Sequence, residues 1–360
     1  MKKTLLIVFL FLSFYQIAFS QESLFEESFQ TLKEMLEDST KYSFKKAVFS
    51  VENAFNYGTL DTIFINQELT KLNILITGLL KSRKLEYHDK DSITVNKYAS
   101  LFTVLNDTIP IKDKNNEDYI YIPYRYDFDD PFGHQDWNSM FVSKLLMTGK
   151  GNCHSLPYLY KILAEEIGVD AHLALAPNHV YIKHRNKKDG WYNTELTSGI
   201  FPIDAWIMAS GYVHLDAIVN GMYMKALNNK ETIGVCLIDL AQAYENRFPH
   251  HNGDFVLKCS ELALKQYPNF SNALLMNMEA KRRQIETFLR KKKAEFPNDI
   301  SKYPETSQLF AEIQNQIVNV HTLGYRKMPE EMYLNWLVSL KEEREKYSNK
   351  KINTFNNTTN

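Results

Sequence analysis

Three short segments, far apart along the chain, restrict what it can fold into: Gly151-Asn152-Cys153-His154-Ser155, Asn178-His179-Val180-Tyr181 and Trp191-Tyr192-Asn193-Thr194-Glu195. The first puts a cysteine where a glycine-containing turn enters an apolar helix. The second opens a strand on a histidine, and the third carries an amide and a carboxylate along the next strand. A thiolate nucleophile, an imidazole base and a group that orients the base are the parts that acyl transfer through sulfur needs. A fold that unites them holds the mouth of a helix against a small antiparallel sheet.

The local patterning is consistent with that arrangement. Leu156, Leu159, Tyr160, Leu163 and Ile167 form one apolar helical stripe, Pro157 suits a first turn and Gly168 ends the helix. Cys153 at its mouth faces unpaired backbone N–H groups and the positive end of the helix dipole, which favour thiolate over thiol. Its own N–H is a natural oxyanion donor, and Gly151 lets the backbone pass close to a substrate carbonyl. Ala171 to Ala176 reads as a buried strand, and His179 to His184 and Trp191 to Leu196 read as a hairpin about the polar turn Asn186 to Gly190. Side chains alternate along a strand, so a register pairing His179 with an odd-numbered residue puts Asn193, Glu195 and Thr197 on its face. Glu195 is the expected orienting acid, and Asn193 is the alternate third member, able to hold the ring without a charge. Gln135 and Trp137, ahead of the cysteine, are candidates for lining a cleft or donating to an oxyanion, with capping and packing as the structural alternative. Asp204, after Pro202, is a further alternate acid.

The segment from about Asp129 to Phe201 resembles the transglutaminase-like superfamily, the papain-type fold with a cysteine nucleophile, and the bacterial branch in which that core precedes tetratricopeptide-like helices. The matching residues are Gly151-Asn152-Cys153 opening a helix, His179-Val180-Tyr181 opening a strand, and Trp191 through Glu195-Leu196-Thr197. The resemblance implies Cys153 as nucleophile, His179 as general base and Glu195 as orienting acid, acting on amide, peptide or ester bonds without metal or organic cofactor. The family acid is usually an aspartate followed by proline. Here it is Glu195-Leu196, one methylene longer, which keeps Asn193 open for the third role.

The expected fold class is therefore α+β: a papain-like or transglutaminase-like core between a helical N-terminal region and an all-helical C-terminal one. Lys2, Lys3, an apolar stretch from Leu5 to Phe19 and Ala18-Phe19-Ser20 before Gln21 match a secretory signal peptide cut after Ser20, which predicts a periplasmic or secreted product. Helical spacing recurs at Phe25, Phe29, Leu32 and Leu36, at Phe44, Val48, Val51 and Phe55, and from about Asn66 to Lys81. Tyr119 to Tyr124 reads as a strand or ordered loop, and Trp137, Phe141, Leu145 and Leu146 mark a helix ending at Gly149 and Gly151. The expected organisation is 21–118 helical, 119–228 core, 229–347 helical and 348–360 a disordered tail.

Around Tyr244, Ala263 and Pro268 the chain resembles one tetratricopeptide-type hairpin, with a generic helical bundle as the alternative. Those C-terminal helices are the expected place for a protein partner, and a peptide or protein is the expected substrate. A formal net charge of -1 gives no reason to expect nucleic acid, and no stretch after the leader is long enough to span a membrane. Cys236 and Cys259 lie on consecutive expected helices as a disulfide or as two buried thiols. His250, His251 and Asp254 resemble a metal cluster in composition alone, and an exposed polar loop is the expectation there. The basic run from Lys281 to Lys293 reads as a solvated helix face.

Overall fold

The computed structural model describes residues 21–356 apart from 84, 113, 114 and 116. The leader and the last four residues lie outside the described residues. The fold is α+β, rich in helix with small sheets, and the chain divides into two compact units, Met1–Leu60 with Asn228–Leu323 and Asp61–Leu227 with Gly324–Asn360.

The first unit is helical. Its helices are α1 (21–37), α2 (Phe44–Phe55), α9 (Asn229–Arg247), α10 (Asp254–Gln266), α11 (Ser271–Lys291) and α12 (Pro304–Thr322). Phe25 of α1 is fully buried, edge-on to Tyr244, Phe248 and Phe255, the arrangement that the charge distribution of aromatic rings favours. A capping box between Asn228 and Glu231 satisfies the first N–H groups of α9. Cys236 and Cys259 are buried and unlinked, so the thiol alternative holds. The run from Lys281 carries its own counter-charges: Glu279 and Glu286 pair with Arg282, and Glu312 pairs with Lys281. His251 faces Glu245, and no metal-ligating cluster exists among the described residues. No helix among them is long and apolar enough to cross a membrane.

The second unit holds α3 (Thr62–Ser82), α4 (Ser92–Asn106), β1 (Ile109–Lys112), β2 (Asp118–Tyr121), β3 (Arg125–Tyr126), α5 (Val142–Thr148), β4 (Lys150–Gly151), α6 (Ser155–Glu166), β5 (His172–Ala176), β6 (His179–Asn186), β7 (Gly190–Thr194), α7 (Asp204–Ser210), α8 (Leu215–Val219) and α13 (Glu330–Asn356). Strands β5, β6 and β7 form an antiparallel sheet in that order. Its register pairs Ala176 with His179 across a two-residue turn, and Lys183 with Asn193. Asn178 in that turn has φ 56, a left-handed conformation that asparagine tolerates better than most side chains. Helix α6, buried along nearly its whole length, packs on β5 and β6 from one side and meets α3, α4 and α5 on the other.

The expected linear succession of domains gives way to an interleaved one. Helices α1 and α2 belong with α9 to α12, whereas α3, α4 and α13 belong with the sheet. The expected boundary at 118/119 falls inside the β1–β2 hairpin, where Ile111 pairs with Tyr119. The reason is geometric: an apolar stripe shows that a helix must bury one face but not which other face receives it. Helix α4 lies in the region expected to be helical, but its spacing was not assigned, because its start, Ile93-Thr94-Val95, is β-branched and a poor helix former. Burial of Tyr98, Leu101, Val104 and Leu105 outweighs that preference. The expected tail from 348 is helical through Asn356 as the end of α13.

Candidate active site

Cys153 sits in the turn leading into α6. The ladder of that helix begins where Leu156 N donates to the Asn152 carbonyl, and the Asn152 side-chain oxygen accepts from the N–H groups of His154 (2.9 Å) and Ser155 (3.2 Å). Asn152 is thus the capping side chain that sets the cysteine at the helix mouth. Gly149 ends α5 in the left-handed region at φ 72. Gly151 also has a packing role. A Cβ there would lie 2.4 Å from Ser155 Oγ and 2.9 Å from Leu145 Cδ1, so its smallness serves the packing of α5 against α6.

His179, the first residue of β6, turns its Nε2 to Glu195 Oε2 at 2.5 Å, with the two side chains 1% and 3% exposed. The odd-to-odd register does place Glu195 on the histidine's face, one residue beyond the end of β7. Glu195 is fixed there by backbone hydrogen bonds in both directions with Ile200 and by Thr197 N donating to Oε1 at 2.8 Å. The other ring nitrogen, Nδ1, is buried without a hydrogen-bond partner among the described residues, and the ring interacts with the sulfur of Cys153.

The electrostatics follow from these contacts. Burial pushes the Cys153 thiol up, but His179, the Tyr333 hydroxyl and the nearby His154 together hold it below its ordinary value. Burial pushes the His179 imidazole down, yet the Glu195 carboxylate and the sulfur outweigh this and raise it to about 10. Burial likewise opposes the Glu195 charge, and His179 and Thr197 keep that carboxylate below the usual range. All three directions agree: each group's neighbours favour its charged form against burial. Cys259 is the contrast, since burial without such partners pushes its thiol far up.

The alternates lie elsewhere. Asn193 is buried and donates to the Pro202 carbonyl (2.9 Å) and to Asp204 Oδ1 (2.8 Å), so it braces the entry to α7. Asp204 also takes Lys183 at 3.0 Å. Gln135 is exposed, its amide directed at the Asp129 carbonyl, and Trp137 begins a short 3-10 turn, half-buried; neither hydrogen-bonds to the Cys153–His179–Glu195 row. The loop carrying them is organised by Asp130, whose carboxylate accepts from Gln135 N, Asp136 N and Ser139 Oγ.

Two residues at the site were not foreseen. Tyr333 places its hydroxyl 3.1 Å from the Cys153 sulfur and also interacts with Tyr126, and Trp336 lies edge-on to His179 at 4.5 Å. Both come from α13. The helical spacing of Tyr333, Trp336, Leu337 and Leu340 was a readable signal of a buried face, but only the fold shows what that face covers.

No family model and no curated protein matches the sequence. Among solved structures, the chain is similar to menin, from the crystal structure that reveals the binding site for Mixed Lineage Leukemia (MLL) protein. The TM-score is 0.33 and the sequence identity 14%, over 86% of this chain and 73% of that one.

Proposed function

We propose that this chain is a periplasmic or secreted thiol enzyme with a transglutaminase-like, papain-type core, acting on amide, peptide or ester bonds. The carrying observation is the buried row in which Glu195 grips His179 Nε2 at 2.5 Å while the same ring interacts with the sulfur of Cys153. In this reading the thiolate attacks the substrate carbonyl carbon, the S–C bond forms and the carbonyl electrons move onto oxygen. The tetrahedral oxyanion then collapses, the C–N or C–O bond breaks, and the leaving group takes the imidazolium proton. His179, now neutral, accepts a proton from water or an acceptor amine as that nucleophile attacks the thioacyl carbon and the thiolate departs. Water makes the reaction hydrolysis and an amine makes it transfer. Glu195 stays ionised and holds the imidazolium.

An acyl-directed electrophilic probe tests this by intact mass. On prolonged incubation the parent should slowly gain one adduct on Cys153, which is only 7% exposed, and Cys153→Ala and His179→Ala should gain none. Equal labelling of all three would favour the second reading, a catalytically inactive core that serves as a scaffold while the helical regions bind a protein or peptide. One observation supports that second reading: Cys153 is only 7% exposed, with Tyr333 seated on its sulfur.

A further inference from the structure

A nucleophile of this kind must admit a carbonyl carbon to within van der Waals contact of sulfur, with an oxyanion beside it. In this chain that approach is taken. Tyr333 is completely buried with its hydroxyl 3.1 Å from the sulfur, its ring 5.0 Å from Phe132, and Trp336 rests on the imidazole with its ring 6.4 Å from Trp206. These contacts share one face of α13, continued by Leu337 and Leu340.

Side-chain contacts hold that helix against the site. Among the described residues, no backbone hydrogen bond joins α13 to the sheet or to α6; its N-terminal turn bonds only within itself, Tyr333 N donating to the Pro329 carbonyl. Its side-chain polar contact with the site is the Tyr333 hydroxyl itself, and farther along Lys341 lies over the Phe128 ring. Trp336 Nε1 is buried without an acceptor among the described residues, which weakens the seat. Upstream, Gly324 is anchored, since a Cβ there would lie 2.4 Å from Ala217 N. Residues 325–329, between that anchor and α13, form no helix or strand.

We propose that α13 is an internal ligand of the Cys153–His179 pair, and that it holds the site latent until the helix leaves its seat about the 325–329 segment. Tyr333 and Trp336 stand where the acyl group of a substrate has to stand, so substrate and helix exclude each other. The slot that opens is walled by Tyr126, Phe132 and Trp206, which suits a peptide whose side chain next to the reacting carbonyl is aromatic or large and apolar. This proposal rests on the acyl-enzyme reading above for the identity of the ligand, but its test does not depend on acyl chemistry.

The test is alkylation of the native full-length chain by iodoacetamide at neutral pH, with each cysteine followed by peptide mass. Cys236 and Cys259 report on unfolding of the first unit, and hydrogen exchange of the α6 amides in each variant reports on unfolding of the second. In the parent, Cys153 should react slowly, and Tyr333→Ala and Trp336→Ala should each speed it at least about tenfold by raising the open fraction, with Cys236 and Cys259 still protected. Hydrogen exchange on the parent covers the case in which a variant unfolds: amides of 330–340 should exchange much faster than those of α6. Cys153 labelling equally fast in parent and variants would overturn the latch, as would exchange of 330–340 only in step with α6. Fast thiol labelling in Trp336→Ala without any acyl adduct would instead overturn the enzymatic reading and leave the latch standing.

Discussion

Replacing Glu195 by glutamine isolates the charge on which the proposed mechanism depends, because an amide oxygen can still accept from His179 Nε2 while carrying no charge. Burial disfavours the imidazolium, yet His179 is raised from 6.5 to about 10, with the Glu195 charge the largest favourable cause and the sulfur contributing beside it. That net rise corresponds to roughly 5 kcal/mol at about 1.4 kcal/mol per pH unit after burial has been overcome, and the Glu195 charge is the largest favourable part of it. Both side chains are almost wholly shielded from solvent, so screening takes little from that figure. Loss of the negative charge disfavours the imidazolium, and loss of the imidazolium then removes the positive charge that favours the thiolate. In Glu195→Gln the histidine midpoint should therefore fall and the thiol midpoint should rise. The assay is ultraviolet thiolate absorbance against pH, taken as the difference between each protein and its Cys153→Ala partner. In the parent, the raised histidine adds stability that is complete below pH 6.5 and vanishes as pH climbs through about 10. Urea melts of the variant should lack that alkaline loss. Superimposable thiolate titrations in parent and Glu195→Gln would refute the reasoning.

Three further outcomes follow from the same site. Asn152→Ala removes the acceptor for His154 N and Ser155 N and should cost about 1–2 kcal/mol by urea denaturation; a change within about 0.5 kcal/mol would place the cap elsewhere. Gly151→Ala should cost about 1–3 kcal/mol through the clash with Ser155 and Leu145, and an unchanged melting temperature would show that α5 and α6 can part at no cost. His184, buried against Tyr98 and Tyr160, is pushed by burial down to about 3. Below pH 6.5 the unfolded chain takes a proton that the folded ring refuses, so stability should fall by up to about 1.4 kcal/mol per pH unit. His184→Phe should flatten that acid limb between pH 7 and 5.5, and parallel limbs would show that another group titrates there.

Much of the site was legible before any coordinates. The cysteine at a helix mouth, the histidine opening β6 and the odd-numbered register of the hairpin are local consequences of turn residues and of the two-residue period of a strand. That register placed Asn193, Glu195 and Thr197 on one face but could not rank them. The turn between Glu195 and Ile200 decided the matter, carrying Glu195 inward to the ring while Asn193 stayed with Pro202 and Asp204. Gln135 and Trp137 were suggested by proximity in sequence alone, and in the Asp130-centred loop the Gln135 amide turns to the Asp129 carbonyl.

By itself, then, the order of residues determined the elements around the site and the meeting of Cys153, His179 and Glu195, since both depend on contacts within a few dozen residues. Only the tertiary structure decided that α1 and α2 pack with helices some two hundred residues later, and that Tyr333 and Trp336 cover the sulfur and the ring. Apolar faces carry no address: burial rewards the removal of hydrocarbon from water whichever surface supplies the cover, so pairing between distant segments is settled by the shape of the whole chain.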